Sequence, residues 1–315
     1  MGEELRRVLR HLADEGRPLR PSMLYALSGL GPEELAEVQE VWPRLSTARA
    51  RAVLRALVEL TEVMIDMDFT ALFRWWLGDK DAEVRLLAIE GLWEDEDTAL
   101  VGPLVRILKN DEQPAVRAAA AASLGRFVLL GELGEINAAV GARAEQALLE
   151  AYFSRGETLE VRRRALEAVA YSSEAGVSDL IAEAYRKGEE EMCVSALFAM
   201  GRSADRRWRS VLIRELDSPS PARRYEAAHA CGELELREAV PALSRLIDDE
   251  DAEVRDVAIE ALGKIGGKGA RRVLGECLLR GDETLQAAVE EALLQASWFG
   301  DDELEILDDW SLAEG

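Results

Sequence analysis

The chain has few of the residues from which metal sites and catalytic sites are usually built. Its 315 residues include only two histidines and three cysteines, and no Cys-x-x-Cys pair occurs. No His, Cys and carboxylate cluster has the spacing of zinc ligands, and the sequence contains neither a glycine-rich phosphate loop nor a Gly-x-Ser-x-Gly turn. We therefore expect no metal, no cofactor and no catalytic residue.

Cationic residues and long apolar runs are also scarce. Lys and Arg number 38 against 61 Asp and Glu, which gives a formal net charge of −23. That charge repels phosphate backbones and anionic lipid surfaces. No apolar run approaches the length of a membrane span, and the start Met-Gly-Glu-Glu-Leu-Arg-Arg lacks the apolar core of a signal peptide. We expect a monomer that binds neither nucleic acid nor membranes.

The three cysteines are scattered and odd in number, as in proteins of a reducing compartment. Cys193, Cys231 and Cys277 lie far apart in the chain. Cys231 occupies a Leu-type position of its segment, which indicates a small buried apolar residue. A cytoplasmic location is therefore expected.

Segments of alternating Val, Ile and Thr that would indicate β-strands are missing as well. Ala, Leu, Glu and Arg dominate instead, and all four are strong helix formers. Hydrophobic residues make up 48% of the chain, which is ample for a core. The sequence predicts an all-α protein.

One phrase recurs along the chain, most completely over residues 251–267. Asp251 is a good helix N-cap, apolar residues follow at helical spacing, and Gly263 lies near the end of the segment. Each recurrence has one position, here called the marker position, that is usually an arginine. The marker residues are Arg85, Arg117, Arg162, Cys193, Arg224, Arg255 and Gln286. Their steps are 32, 45 and then four of 31 residues, which indicates a repeat architecture.

The phrases at 81–92 and 251–263 resemble HEAT repeats of the phycobilisome-lyase type. The resemblance covers about residues 66–296, and the whole chain resembles bacterial HEAT-repeat domain-containing proteins. It implies a right-handed α-solenoid of HEAT-like helical hairpins, an armadillo-like superhelix. The repeat motif is specific for this fold and says little about activity.

The repeat boundaries divide the chain into three parts. Residues 1–65 do not match the repeat and are expected to form a helical N-terminal cap, followed by the array at 66–296. The step of 45 residues places an insertion near 127–141, which we expect to form a loop on one face. Residues 297–315 form an acidic and aromatic tail without Lys or Arg. This tail is either a disordered solubilising end or a short motif that docks on the chain or on a partner.

An acid six places before the marker arginine can bridge to the arginine of a neighbouring repeat, as the resemblance implies. Asp79, Asp111 and Asp249 keep this spacing, whereas Gly156 and Ser218 replace the acid. We therefore expect an incomplete ladder of ion pairs with a structural role.

The resemblance also implies that the second helix of each pair lines the concave face. Positions one and five residues after the marker point away from the apolar stripe, and they are acidic with scattered apolar and aromatic members. The candidate binding residues there are Glu90, Arg163, Glu167, Phe198, Tyr225, His229, Asp256, Glu260 and Glu291. They suit a basic or amphipathic protein segment, and the alternative is an ordinary solvated helix face. A rival surface is the insertion, with Leu129, Leu130, Leu133 and Ile136.

Four functions compete at this point. A noncatalytic protein-binding scaffold needs no site chemistry and is the leading hypothesis. The resemblance alone raises the alternative of a bilin lyase or isomerase-like subunit, so that any enzyme activity is expected to be lyase-like. An alkylpurine DNA glycosylase with HEAT-like pairs would need a basic concave face, whereas this one is acidic. A deoxyhypusine hydroxylase-like di-iron site would need His-Glu dipeptides, and the sequence has none.

Overall fold

A computed structural model describes residues 2–64, 66–280 and 285–298. Every regular element within these residues is a helix, which confirms the predicted all-α fold. The chain divides into two compact units, Met1–Ala168 and Val169–Gly315. Within the described residues, no helix is both long and apolar enough to cross a membrane.

The first unit contains three helices that precede the repeats and three pairs of repeat helices. Side chains fix several of the helix starts: Ser46 accepts a hydrogen bond from the Arg49 amide, and Asp81 accepts one from the Val84 amide. The helices are α1 (Gly2–Ala13), α2 (Pro32–Val41), α3 (Thr47–Val63), α4 (Thr70–Trp76), α5 (Ala82–Gly91), α6 (Val101–Asn110), α7 (Pro114–Glu132), α8 (Ala138–Phe153) and α9 (Leu159–Val169).

The described residues of the second unit form four further pairs of helices. Short 3-10 turns precede two of the first helices, at Arg206–Trp208 and Arg237–Ala239. The helices are α10 (Ala175–Lys187), α11 (Glu190–Arg202), α12 (Arg209–Glu215), α13 (Pro221–Glu233), α14 (Val240–Leu246), α15 (Ala252–Ile265), α16 (Gly267–Leu279) and α17 (Gln286–Trp298).

The boundary between the units falls inside the predicted repeat array. The assignment of residues 1–65 to a cap therefore stays a prediction. The predicted tail, 297–315, begins within α17, and its residues from 299 onward lie outside the described part of the chain.

Neighbouring second helices approach each other closely because a glycine of one faces an alanine of the next. A Cβ atom placed on Gly232 of α13 would lie 2.9 Å from the Cα of Ala261 in α15. In the first unit, a Cβ on Gly125 of α7 would lie 3.0 Å from the Cα of Ala168 in α9. A larger side chain would push the helices apart, so this contact fixes how tightly the repeats stack.

Arginines at the marker position connect successive helix pairs. Arg85 donates two hydrogen bonds to the Asp111 carboxylate, at 2.7 and 2.8 Å, and Arg224 makes the same pair with Asp249. Each arginine also donates to the carbonyl oxygen six residues before it, so Arg224 still bonds to the main chain of Ser218. The predicted ladder therefore exists at these two places.

The ladder departs from prediction elsewhere. Asp79 accepts a hydrogen bond from the Trp42 indole N–H at 2.9 Å and pairs with no arginine among the described residues, and the positions before Arg162 and Arg224 differ for local reasons. Glu157, one residue later than expected, accepts two hydrogen bonds from Arg117 at 2.7 and 2.8 Å, so Gly156 causes no gap there. Ser218 stands where the pattern has an acid. The marker position that would pair with this acid is Cys193, whose thiol donates a hydrogen bond to the Tyr185 carbonyl oxygen. Both members of this one expected ion pair, the acid and the arginine, are therefore replaced together.

The insertion at 127–141 does not form the predicted loop. Its residues lengthen α7 to Glu132, and α8 begins at Ala138 after the Asn137 side chain accepts a hydrogen bond from the Ala139 amide. Helix α7 continues because apolar residues keep their helical spacing through residue 130. A Cβ placed on Gly131 would lie 3.0 Å from the Cα of Gly141, so the two lengthened helices pack against each other.

Candidate protein-binding site

A groove of about 1010 Å³ lies along three second helices of the second unit, α13, α15 and α17. Four carboxylates line it: Glu253, Asp256 and Glu260 of α15, and Glu291 of α17. The three on α15 share one helix face because they are three and four residues apart. We call this surface the acidic groove and define it by these four carboxylates together with Tyr225 and Leu294. The groove brings together four residues that the sequence singled out, namely Tyr225, Asp256, Glu260 and Glu291.

Most of the negative charge in the acidic groove is not neutralised. Its one lysine, Lys264, forms ion pairs with Glu260 at 2.6 Å and with Glu233 at 2.8 Å. Across the described residues, no cation lies within ion-pair distance of Glu253, Asp256 or Glu291, and all three side chains are exposed. The groove therefore presents a negative potential to any segment that approaches it.

Apolar groups alternate with the carboxylates. Val257 and Ile259 are buried beneath the groove, and Leu294 of α17 is 60% exposed at its edge. Tyr225 of α13 is half-buried, and burial together with the nearby Glu226 and Glu260 raises the pKa of its phenol. The phenol thus stays protonated at neutral pH and can donate a hydrogen bond. Apolar area beside unneutralised carboxylates is suited to an amphipathic ligand with basic residues.

Phe198 and His229, two of the predicted binding residues, stack on each other. Their ring centroids are 5.7 Å apart and the rings are nearly parallel, at 7°. Burial lowers the pKa of His229, although Glu233 acts in the opposite direction. The imidazole is therefore neutral at neutral pH. The stacked rings of Phe198 and His229 form a half-buried aromatic surface beside the charged residues of the second helices.

The predicted binding residues of the first unit differ from those of the second. Glu90 is exposed, as expected for a binding residue. Glu167 is only 8% exposed and pairs with Arg164 at 2.8 Å, so its prediction as a source of negative potential is wrong. Helix α9 turns this side chain inward against its own arginine. Arg163 pairs with Glu160 at 3.2 Å on the same helix.

The rival surface at the insertion is only partly exposed. Leu133 is 62% exposed, Leu129 and Ile136 are half-buried, and Leu130 is 5% exposed. The prediction that Leu130 is a contact residue is therefore wrong, because the lengthened α7 directs it into the packing with its neighbours.

A third column of residues was missed in the sequence. It lies nine places after the marker and, from the marker Arg162 onward, consists of Tyr171, Arg202, Glu233, Lys264 and Gln295. Its members contact one another: the Arg202 guanidinium lies 5.0 Å from the centroid of Tyr171, and Lys264 pairs with Glu233. These positions follow the same 31-residue spacing as the predicted binding residues, and that spacing is the signal in the sequence that marks them.

Metal and thiol chemistry find no support among the described residues. No group of three or more His, Cys, Asp or Glu side chains in this part of the chain is placed to hold a metal ion. The three cysteines form no disulfide and are buried, and burial raises the pKa of the Cys231 thiol to about 12. A thiol that stays protonated is a poor nucleophile.

These observations define an α-solenoid protein built from repeated helical pairs, with a charged groove along its second helices. HEAT repeats match residues 70–170 and 209–294, more than half of the chain. The chain belongs to the HEAT-repeat family. None of the curated proteins compared with it matches.

Solved structures with a similar arrangement of helices include three proteins of different kinds. The Escherichia coli protein YibA is 17% identical, with a TM-score of 0.47 over 89% of this chain and 98% of its own. The CpcE–CpcF complex of phycocyanin lyase from Nostoc is 19% identical, with a TM-score of 0.48 over 72% and 93%. Human deoxyhypusine hydroxylase is 19% identical, with a TM-score of 0.37 over 94% and 96%. Identities and TM-scores are low, so none of the three supports a conclusion about activity or partners.

Proposed function

We propose that this protein is a noncatalytic protein-binding scaffold, and that the acidic groove binds a basic, amphipathic segment of a partner protein. The observation that carries the proposal is the set of exposed carboxylates, Glu253, Asp256 and Glu291, that have no cation beside them within the described residues. Elsewhere the protein pairs many of its acids with arginine, as at Asp111 and Asp249. Carboxylates without a neighbouring cation, placed around buried apolar residues, favour a ligand that carries positive charge.

The two kinds of groups in the groove are expected to act at different stages of binding. The carboxylates are exposed and screened by salt over about 8 Å at physiological ionic strength, so they mainly accelerate encounter. Tyr225 and Leu294 offer the aromatic and apolar area that slows dissociation once it is covered. A bound helix would place its apolar stripe on these two residues and its basic residues beside α15 and α17.

The charge of the groove also argues against other occupants. The phosphates of a nucleic acid would be repelled by the same carboxylates, and also by the whole chain, whose formal net charge is −23. The tail of this chain, which has no Lys or Arg among residues 297–315, would meet the same repulsion. A basic polypeptide is therefore the occupant that we propose.

Fluorescence anisotropy with defined peptides tests the proposal. The probes are a labelled amphipathic Leu/Lys helical peptide and its Leu/Glu counterpart, with the full-length chain as receptor. We expect saturable binding of the Leu/Lys peptide alone. The triple variant Glu253→Gln, Asp256→Asn, Glu291→Gln should bind about tenfold more weakly, since each lost charge pair contributes up to about 1 kcal/mol.

A matched control separates the groove from net charge. Glu33, Glu40 and Glu112 of the first unit are exposed and lie outside the insertion, and the triple change to glutamine there removes the same charge. This control should leave the affinity nearly unchanged. The proposal fails if both triple variants weaken binding equally, or if the Leu/Lys peptide does not bind the wild-type chain.

A further inference from the structure

Arg202, at the end of α11, is held by two aromatic rings. Its guanidinium carbon lies 4.2 Å from the centroid of Phe198 and 5.0 Å from the centroid of Tyr171. Phe198 in turn stacks on His229. All four side chains are half-buried, so the rings restrict the arginine and bring its flat face out of water.

The edge of this guanidinium is unoccupied. Among the described residues, Arg202 makes no hydrogen bond and no ion pair, in contrast to Arg223 and Arg224 of the next second helix, which pair with Glu190 and Asp249. Ring contacts use the faces of a guanidinium, whereas its five N–H donors lie in the plane and point outward. The donors of Arg202 are therefore available to a ligand.

A carboxylate that interacts electrostatically with Arg202, that of Glu233, is already paired with another cation. Glu233 is the member of the missed column next to Arg202, and it packs over Gly201, where an added Cβ would lie 3.7 Å from its own Cβ. Lys264 takes the Glu233 carboxylate at 2.8 Å and also pairs with Glu260 of the acidic groove. A row of paired charges thus runs from the acidic groove toward Arg202. The charge of Arg202 helps to lower the pKa of Glu233, but the arginine forms no hydrogen bond or ion pair of its own among the described residues.

We infer that Arg202 binds a carboxylate of the polypeptide segment whose basic residues face the acidic groove. This inference rests on the proposed function and adds a polarity to it. A planar guanidinium matches a carboxylate with two parallel hydrogen bonds, and the preorganising rings reduce the entropy lost on binding. A segment with basic residues at one end and a carboxylate at the other would then bind in one direction only.

A carboxylate fits this place better than a phosphate group. The carboxylate of Glu233 is close enough to Arg202 for the two charges to interact, and the carboxylates of Glu226 and Glu260 lie beside His229 and Lys264. Lys264 is shared between Glu233 and Glu260. A phosphate with a charge near −2 would meet roughly twice the repulsion of a carboxylate and would find only one arginine to offset it. A phosphorylated ligand is therefore the outcome that the test must separate.

The first experiment moves a single glutamate along the Leu/Lys peptide and measures the affinity of every position by fluorescence anisotropy. We expect one position, or two positions one helical turn apart, at which glutamate tightens binding to the wild-type chain by about fivefold, the effect of roughly 1 kcal/mol. The gain should vanish with Arg202→Gln and be largely lost with Arg202→Lys, which keeps the charge but not the planar fork. Phosphoserine at the same position should bind no better than glutamate.

Arg237→Gln is the matched control, since Arg237 is an exposed arginine of the same unit. It should keep the gain from glutamate in full. If glutamate weakens binding at every position, or if its gain survives in Arg202→Gln, the inference is wrong while the groove proposal stands. The proposed function fails in a different case. The parent peptide would then bind wild type and Arg202→Gln equally, and it would bind the triple variant of the groove carboxylates as tightly as wild type.

A second measurement does not depend on the groove. The Nε–H signal of Arg202, assigned by its loss in Arg202→Lys, is followed by NMR while acetate alone is added. We expect a saturable shift at Arg202 and a linear, non-saturating one at Arg237, and replacement of Tyr171 by leucine should weaken the saturable response. A linear response at Arg202 would mean that its ring contacts only stabilise the fold, and it would overturn the inference.

Discussion

The two units use the same repeat and the same Arg–Asp pairs, but they differ in the carboxylates that line their second helices. In the first unit, Asp111 and Glu157 are each taken by a marker arginine, and Glu167 is buried against Arg164. In the second unit, Glu253, Asp256 and Glu291 stand along one groove with no cation beside them in the described residues. Pairing therefore decides which acidic residues contribute to the surface potential, since the number of acids alone does not.

The column five places after the marker shows the same contrast. Its members in the first unit are Glu90, Ala122 and Glu167, of which only Glu90 is an exposed acid. In the second unit the column is Phe198, His229, Glu260 and Glu291, an aromatic stack followed by two exposed acids. The repeat thus supplies one scaffold on which a single unit carries the features of a binding surface.

The largest expected effects test what the two units share, which is the core of each helix pair. Leu124 of α7 and Leu262 of α15 both lie seven places after a marker, and both are completely buried. Replacement of either by alanine should lower the free energy of unfolding by about 2–5 kcal/mol, because each leaves a cavity. Urea unfolding followed by circular dichroism measures this. A change below about 0.5 kcal/mol at one site would show that the units are not packed alike.

The ion-pair ladder should respond alike in both units, with somewhat smaller effects. Asp111→Asn and Asp249→Asn each leave a mostly buried arginine, Arg85 or Arg224, without its counter-charge. We expect each to cost about 3 kcal/mol in the same unfolding assay. The change Ser218→Asp is the control, because Cys193 offers it no arginine, and it should not stabilise the protein.

The same carboxylates should make stability depend on pH. Burial alone would raise the pKa of Asp111 and of Asp249, but the hydrogen bonds from Arg85 and Arg224 outweigh it and hold both values below the usual range. Their stabilisation is therefore complete above the unfolded value of about 3.9 and is lost as the pH falls through the lower folded value. Urea midpoints should stay level from neutral pH to about pH 5 and fall below about pH 4. The double variant Asp111→Asn, Asp249→Asn should show a shallower fall.

Charge reversal on the two units should separate them by function. Glu291→Lys in the acidic groove should slow association of the Leu/Lys peptide by roughly tenfold at low salt, since exposed charges act mainly on the encounter rate. Glu90→Lys in the first unit should change the rate little. Stopped-flow fluorescence at two salt concentrations measures both. Equal effects would mean that net charge, and no particular groove, attracts the peptide.

The smallest effect is expected at the insertion. Leu133→Asp alters a side chain that is 62% exposed, so the free energy of unfolding should change by no more than about 0.5 kcal/mol. Peptide binding should also stay as in wild type. If Leu133→Asp abolished peptide binding without unfolding the protein, the binding site would be the insertion in the first unit, and the proposed difference between the units would be wrong.

Much of the fold followed from the sequence because its signals are local and repeated. Apolar spacing, the N-cap Asp251 and the 31-residue period predicted repeated helices, and the structure contains them, with Asp81 and Asp251 capping α5 and α15. The loop predicted at 127–141 was wrong because an insertion that keeps helical periodicity extends a helix. The opposition of Gly131 and Gly141, which lets α7 and α8 pack closely, depends on a contact that periodicity does not encode.

The sequence by itself determined that the chain is an all-α repeat protein with acidic residues at the positions that face away from the core. Only the tertiary structure decided which of those acids keep their charge exposed. Glu167 turns inward to Arg164, Glu260 shares Lys264 with Glu233, and Arg202 lies between two rings with its donors unpaired. Some of these contacts lie within one helix, such as Arg164–Glu167 and Glu260–Lys264, and others join neighbouring repeats, such as Glu233–Lys264 and Tyr171–Arg202. All depend on distances of a few ångströms, and the same residues at the same spacing fit either result. The 31-residue period determines the position of each side chain on its helix. The neighbouring side chains in the folded protein determine which groups that side chain can still bind.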